Sequence, residues 1–306
     1  MSLYTKYRPK QLSEFAGNES VVESFEALFS KPRQDIPHAV LLVGPPGCGK
    51  TTLARIAASR LGCSDMDLVE VDSADFRGID TVRDIRRQMG LSPLSGSCRV
   101  WILDEIHRST GDAQAALLKA LEDTPPHVYF MLATTDPQKL LPAILSRCTQ
   151  LRVAPLGDDQ IVRLLRHVTH QEGKVVPLAV LKQIALNSLG HPRAGLVMLD
   201  KIIDLSAESM SRAVEQAAAE QNQVIDLCRA LMKKSSWKQI ASILKGLKDQ
   251  TPEDIRRAAL GYCSAVLLSG EDPKAFVVMD AFRSPTYDLG WPGVVMACYE
   301  IIGSDA

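Results

Sequence analysis

The stretch HAVLLVGPPGCGKTTLARIAA, residues 38–58, passes from an unbroken apolar run through a glycine-rich loop into a segment with Leu53, Ile56 and Ala57 at helical spacing. An apolar run of that length, closed by glycine, reads as a buried strand. The loop Gly44, Pro45, Pro46, Gly47, Cys48, Gly49, Lys50, Thr51 therefore joins a strand to a helix, the setting in which GxxxxGK[ST] carries a mechanism. Its glycines let backbone N–H groups approach phosphate oxygens, and the helix that follows presents its positive end to them. Lys50 is expected to reach the β- and γ-phosphates of a nucleotide, the Thr51 hydroxyl to hold Mg2+, and Thr52 to complete the binding stretch.

Four further apolar runs, Leu68–Val71, Arg99–Leu103, Val128–Ala133 and Gln150–Val153, alternate with helix-length segments. With His38–Val43 they predict a five-stranded parallel sheet covered on both faces, a doubly wound α/β domain. After Pro155 strand signals stop, and helical periodicity runs on with Pro177, Gly190 and Pro192 as breaks. A polar, alanine-rich stretch over 205–222 makes a second break, beyond which Val224, Leu227, Cys228 and Leu231 mark an amphipathic helix. The expected plan is an α/β domain over 1–154, a small helical domain over 155–220 and a helical domain over 221–306.

The third strand ends in Asp104-Glu105, at the carboxyl edge of the sheet where open α/β folds bind ligands. Asp104 is suited to support Mg2+ and Glu105 to orient a water as its base. As a bare pattern the pair also suits the start of a helix, where acidic groups favour the dipole. The fourth strand runs into Thr134-Thr135-Asp136; a hydroxyl there can meet a γ-phosphate or its attacking water, or merely cap a turn.

With 306 residues, 46% hydrophobic and 23% charged, the chain can bury real cores and is not a disordered protein or a disulfide miniprotein. Its formal charge of -1 offers no global attraction for nucleic acid, so any DNA-binding surface is local. No apolar stretch is long enough to span a bilayer, and MSLYTKYRPK lacks a signal-peptide core, which predicts a cytoplasmic protein, at a nucleoid or in a host cell if viral. The seven cysteines show no CxxC spacing; free thiols are expected, and no zinc.

These motifs in this order resemble the AAA+ ATPases, and finer stretches resemble the ATPase subunits of sliding-clamp loaders. Leu132 through Lys139 and Ile144 through Cys148 are similar to the bacterial DNA polymerase III gamma/tau subunit, while Arg77 through Arg83 is closer to the small subunits of replication factor C. The three-domain length is also like that of the viral clamp-loader ATPase. The resemblance runs from residue 4 to about 200 and implies an AAA+ P-loop domain, a helical lid and a helical collar. It implies ATP and Mg2+ as ligands, with Tyr7, Arg8, Pro9, Val21 and Val22 at the adenine pocket. Thr135 takes the sensor position, Arg193 that of a second sensor acting in cis, and Arg147 of Ser146-Arg147-Cys148 that of an arginine acting in a neighbouring subunit's site. The four-cysteine zinc module of the bacterial proteins is absent here, only Cys63 standing in that region.

The implied activity is ATP hydrolysis that opens a sliding clamp and places it on primer-template DNA, within an oligomer, expected to be a pentamer, of loader subunits. The other readings of the motifs are a different AAA+ DNA motor, such as a branch-migration helicase, and a nucleotide-binding scaffold that does not hydrolyse ATP. Up to Ala154 the chain carries eighteen basic and eighteen acidic side chains, so position rather than net charge has to make a DNA surface. Arg77, Arg83 and Arg87, with Thr110 and Gln114, are the expected backbone contacts. A solvated helix face laced with ion pairs is the alternative.

Overall fold

A computed structural model of the chain describes residues 1–71, 78–206, 209–210, 223–248, 250–270, 272–284 and 289–303. It forms two compact units, Met1–Ala207 and Glu208–Ala306.

In the first unit β1 (Ala39–Val43), β2 (Leu68–Val71), β3 (Arg99–Leu103), β4 (Val128–Thr134) and β5 (Thr149–Arg152) pair in parallel in the order β2-β3-β4-β1-β5. Each lies within one residue of its expected ends. Successive side chains of a strand face opposite ways, and both sets of β1 are buried. Val40 and Leu42 pack with Phe25 of α2 (Glu19–Phe29) and with Leu53 and Ala57 of α3 (Lys50–Arg60). Leu41 and Val43 pack with Val82 and Ile85 of α4 (Ile79–Met89) and Leu117 of α5 (Gly111–Glu122). Burial on two faces is why these strands read as continuous apolar runs.

The register brings three carboxyl ends together. Val43 stands opposite Thr134 and Leu103 opposite Leu132, so the phosphate loop, the Asp104-Glu105 pair and the Thr134-Thr135 pair leave one edge of the sheet side by side. Asp67, fully buried before β2, secures the segment leading into β3: its carboxylate accepts the Ser64 hydroxyl at 2.7 Å and the N–H groups of Leu94, Ser95 and Gly96 at 2.6, 3.0 and 2.7 Å. Burial pushes its pKa up, but these donors more than offset that and hold it well below the usual carboxylate range. The unfolded chain therefore takes up the proton first. The stabilisation is complete above about pH 4 and fades as pH falls below the ordinary carboxylate value. Asp67→Ala is expected to cost about 2–3 kcal/mol in urea unfolding at neutral pH, since it orphans buried donors, and much of that penalty should disappear in acid.

Helices α6 (Pro142–Arg147), α7 (Asp158–Gln171), α8 (Leu178–Asn187) and α9 (Pro192–Ile202) complete the unit with the short α1 (Leu3–Lys6). The last three long helices bury Ile161, Leu165, Leu181, Ile184 and Leu199. The connection after β5 is pinned from two sides. Asn18 exchanges hydrogen bonds with the Ala154 backbone at 3.0 and 2.7 Å, and Leu156 N–H donates to Gly190 O at 2.8 Å. Gly190 has φ +75°, and a Cβ there would come within 2.5 Å of Leu156 O, so only glycine fits.

The second unit is helical among its described residues: α10 over 223–232, α11 (Trp237–Gly246), α12 (Pro252–Ser269), α13 (Ala275–Ala281) and α14 (Trp291–Gly303). Thr251 caps α12 by accepting Asp254 N–H, with Pro252 in the first turn where its missing donor costs nothing. Val224, Leu227, Cys228 and Leu231 enter one core with Ile255, Ala259 and Cys263, as their spacing predicts. Trp237 packs edge-on to Tyr299 at 5.1 Å. The expected boundary at 220 lies outside the described residues. Among those described, no helix is long and apolar enough to cross a membrane.

Candidate nucleotide site

Gly49 precedes α3 with φ +103°, and a Cβ on it would meet the Phe15 ring at 2.8 Å. The chain can make this turn, and Phe15 can close against it, only because that residue is glycine. The turn aims Lys50 inward. The side chain is 5% exposed, and its ammonium donates to the Gly44 and Pro45 carbonyls at 2.9 and 3.0 Å and lies 3.8 Å from Glu105 Oε1. Burial draws its pKa down, while Glu105 and Asp104 pull the other way. A polyphosphate would add the negative charge that such a buried cation favours.

One helical residue on, Thr51 Oγ1 donates to Asp104 Oδ2 at 2.7 Å. A hydroxyl and a carboxylate in contact at the foot of a phosphate loop are hard oxygen donors, the set Mg2+ takes when phosphate and water complete its shell. Glu105 follows in a left-handed conformation, φ 50° and ψ 43°. Its Oε2 accepts the Thr135 hydroxyl at 2.9 Å and lies 3.3 Å from His107 Nδ1.

Lys50, Thr51, Asp104 and Glu105 border a cavity of about 320 Å³. Of the expected nucleotide-binding residues, Tyr7, Arg8, Pro9, Pro46, Gly47, Cys48, Gly49, Lys50, Thr51, Thr52 and Arg193 line it, together with Asp104 and Glu105. Gly44 and Pro45 stand behind the lining, where their carbonyls hold Lys50. Val21 and Val22 are not among the lining: Val21 is buried in the α2–α3 side of the core and Val22 packs against it. Thr135 is outside the lining and reaches the site through Glu105.

The lid side comes from α9 and α7. Arg193 lies over the Tyr4 ring at 4.9 Å, and Leu164 and Leu196 supply apolar wall. Cys48 of the phosphate loop touches His191 Nδ1 at 3.3 Å. Burial, then the Lys50 charge, lowers the His191 pKa, favouring the neutral ring. At the opposite end Tyr7 OH and Lys6 Nζ donate to Glu172 at 2.5 and 2.6 Å, tying the N-terminal segment to the helix that carries Leu164.

The remaining candidates lie elsewhere. Arg147 ends α6, half-exposed and paired with Glu122 at 2.7 Å, away from its own chain's cavity. Arg83 and Arg87 are exposed on α4, each paired one turn back with Asp80 and Asp84. Arg77 lies outside the described residues. Thr110 caps α5 by accepting Ala113 N–H. Gln114 is corrected: it is 5% exposed, its amide donating to Ser109 O and Lys139 O and accepting Leu141 N–H, so the phosphate contact expected of it is replaced by an internal one. The sequence reading missed Tyr4, Leu164 and Leu196 at the cavity, and His107 beside Glu105.

A parallel β2-β3-β4-β1-β5 sheet with a phosphate loop after β1, acidic residues after β3, a polar residue after β4 and a helical lid bearing an arginine defines an AAA+ P-loop protein. Solved structures of the same layout include the RuvB Holliday junction branch migration motor of Thermotoga maritima, at TM-score 0.58 and 23% identity over 71% of this chain and 78% of that one, and a singly substituted form of the same RuvB, with the same values. A family model described as DNA polymerase III, delta subunit matches residues 64–157, and one described as Zeta toxin matches residues 23–91. Among curated proteins the chain is 35% identical to DNA polymerase III subunit gamma/tau of Mycobacterium tuberculosis over 232 residues, 68% of this chain and 40% of that protein. It is 30% identical to the tau subunits of Bacillus subtilis, over 90% of this chain and 49% of that protein, and of Escherichia coli, over 79% and 41%. Within the AAA+ class, then, the resemblance drawn from the motifs holds: this chain is similar to DNA polymerase III subunits of the gamma/tau kind. It spans less than half the length of these three relatives.

Proposed function

We propose that the chain is an ATPase subunit of a sliding-clamp loader, hydrolysing ATP to ADP and phosphate to open a clamp and leave it on primer-template DNA. The observation that carries the reading is the run of contacts Thr51–Asp104 and Thr135–Glu105 beside Lys50 at the foot of one cavity. Lys50 neutralises the β- and γ-phosphates, and Thr51 and Asp104 hold Mg2+, which supplies charge neutralisation at the phosphates. Glu105 orients a water and takes its proton, while the Thr135 hydroxyl fixes the carboxylate. Arg193 meets the γ-phosphate from the lid, and Arg147 completes the site of the next subunit. Residues 1–154 act as the ATPase domain, 155–220 as the lid and 221–306 as the collar of an oligomer, a pentamer in this reading, working on cytoplasmic DNA.

In this reading Arg83 and Arg87 contact DNA phosphates; their exposed ion pairs one turn apart are worth only a few tenths of a kcal/mol and exchange partners at little cost. Such contacts follow the backbone without reading sequence. A branch-migration motor would share the nucleotide site but not need a clamp. Steady-state ATPase with a gamma/tau-type loader's other subunits, primed DNA and the cognate clamp decides between them. We expect DNA and clamp together to stimulate turnover beyond the sum of either alone; stimulation by branched DNA without any effect of the clamp would overturn the loader reading.

A further inference from the structure

His107 has no role in the readings above, yet it sits where the catalytic carboxylate is held. Glu105 occupies a left-handed conformation that a non-glycine residue adopts only when its surroundings enforce it. The 3-10 turn that follows, Ile106–Arg108, is anchored at one end by Ile106, 1% exposed, and closed by the Ser109 hydroxyl on Ile106 O at 2.6 Å. This fold-back returns His107, two residues on, to the carboxylate it follows. Its Nδ1 stands between two oxygens, Thr134 Oγ1 at 3.1 Å and Glu105 Oε2 at 3.3 Å, with the side chain 11% exposed.

The carboxylate, not Thr134, selects the tautomer, because a hydroxyl can either give or take a hydrogen bond. Thr134 is fully buried at the end of β4, and its Oγ1 already accepts Asp136 N–H at 3.1 Å. Glu105 Oε2 is a carboxylate oxygen and only accepts. An Nδ1 lone pair facing the carboxylate would be repelled, whereas an Nδ1–H hydrogen-bonded to Thr134 Oγ1 presents its positive end to Oε2 in electrostatic contact at 3.3 Å. Thr134 also pairs with Val43 in the sheet, and its carbonyl accepts Gly44 N–H at 3.2 Å. A continuous path of contacts thus runs from the start of the phosphate loop through Thr134 and His107 to Glu105.

We propose that His107 is a positioning residue: its Nδ1–H, anchored on Thr134, steers the Glu105 carboxylate opposite the Thr135 hydroxyl and sets the basic oxygen against the phosphate loop. The proposal rests on the ATPase reading and adds to it a residue that touches neither nucleotide nor water. Geometry distinguishes it from a merely structural histidine, because the amide Nδ2 of asparagine falls close to the position of histidine Nδ1, whereas that of glutamine falls close to Nε2.

The test is steady-state ATPase of His107→Ala, His107→Asn, His107→Gln and Glu105→Gln in the loader assembly with primed DNA and clamp, with melting temperature and binding of a fluorescent ATP analogue measured on each. His107→Ala should lose about tenfold in kcat with KM and analogue affinity within twofold. His107→Asn should keep at least half of the wild-type kcat, and His107→Gln should fall with alanine. If the alanine variant does not fold, the asparagine–glutamine comparison carries the test. Equal kcat for asparagine and glutamine, an alanine variant within twofold of wild type, or a parallel loss of nucleotide affinity overturns the His107 role alone, provided Glu105→Gln is inactive. A wild type without turnover, or a fully active Glu105→Gln, overturns the ATPase reading and this proposal with it.

Discussion

Glu105→Gln is expected to lower stimulated ATP turnover by about a hundred- to a thousandfold while leaving nucleotide binding intact. Glutamine keeps the length of the side chain and an oxygen to accept the Thr135 hydroxyl, which Glu105 accepts at 2.9 Å, so the local geometry has no reason to collapse. What it removes is the base. It also removes a negative charge 3.8 Å from the Lys50 ammonium, a charge that partly satisfies a buried cation. Lys50 then has fewer competitors for phosphate, and affinity for ATP should rise or hold rather than fall. Single-turnover phosphate release together with equilibrium binding of a labelled nucleotide separates the two effects. Unchanged turnover would favour a non-hydrolysing scaffold, and loss of binding in step with turnover would mean that Glu105 supports the loop instead of the chemistry.

How much of this was legible in the sequence depends on whether a residue's role is set by its neighbours in the chain or by distant ones. The loop from Gly44 to Thr51 is a contiguous device: strand end, turn and helix start are covalently adjacent, and the chemistry demands lysine and a hydroxyl at fixed offsets. Asp104 and Glu105 were readable because a parallel strand buried on both faces announces itself and its last residue marks the ligand edge, whereas Thr135 was singled out only by the family resemblance. Tyr4, Leu164 and Leu196 were not readable. They reach the cavity only after α1 packs on α9 and α7 folds beside it, and an apolar residue at helical spacing looks the same whether it lines a pocket or fills a core. Val21, expected at the adenine pocket, is buried in the core by the same packing.

Gln114 fails differently. Beside the cap of a helix, a glutamine reads as a surface group available to a ligand. The turn into α6 leaves Ser109 O, Lys139 O and Leu141 N–H without partners of their own, and one buried amide satisfies all three. His107 shows the converse. Its position two residues past Glu105 was visible, but the left-handed turn that folds it back onto the carboxylate is a tertiary fact.

The arginine that ends α6 should have the other large effect. Arg147→Ala is expected to reduce stimulated turnover by about a thousandfold while affinity for ATP changes by less than about threefold, because a guanidinium acting on the transferred phosphoryl group matters in the transition state and little in binding. Among the described residues its charged partner is Glu122, at 2.7 Å, with the two side chains 47% and 39% exposed. A pair that open to water contributes at most about 1 kcal/mol, so exchanging the carboxylate for a neighbouring subunit's γ-phosphate is inexpensive. Its absence from its own chain's cavity allows a sharper measurement than a single variant. Glu105→Gln and Arg147→Ala chains, each nearly inactive, are mixed and assembled. Wherever a chain with an intact Glu105 faces a chain with an intact Arg147, a complete site reforms, and turnover should recover to a sizeable fraction of wild type. An arginine that served its own chain's nucleotide could not be rescued in this way, because every chain in the mixture would still lack either its base or its guanidinium.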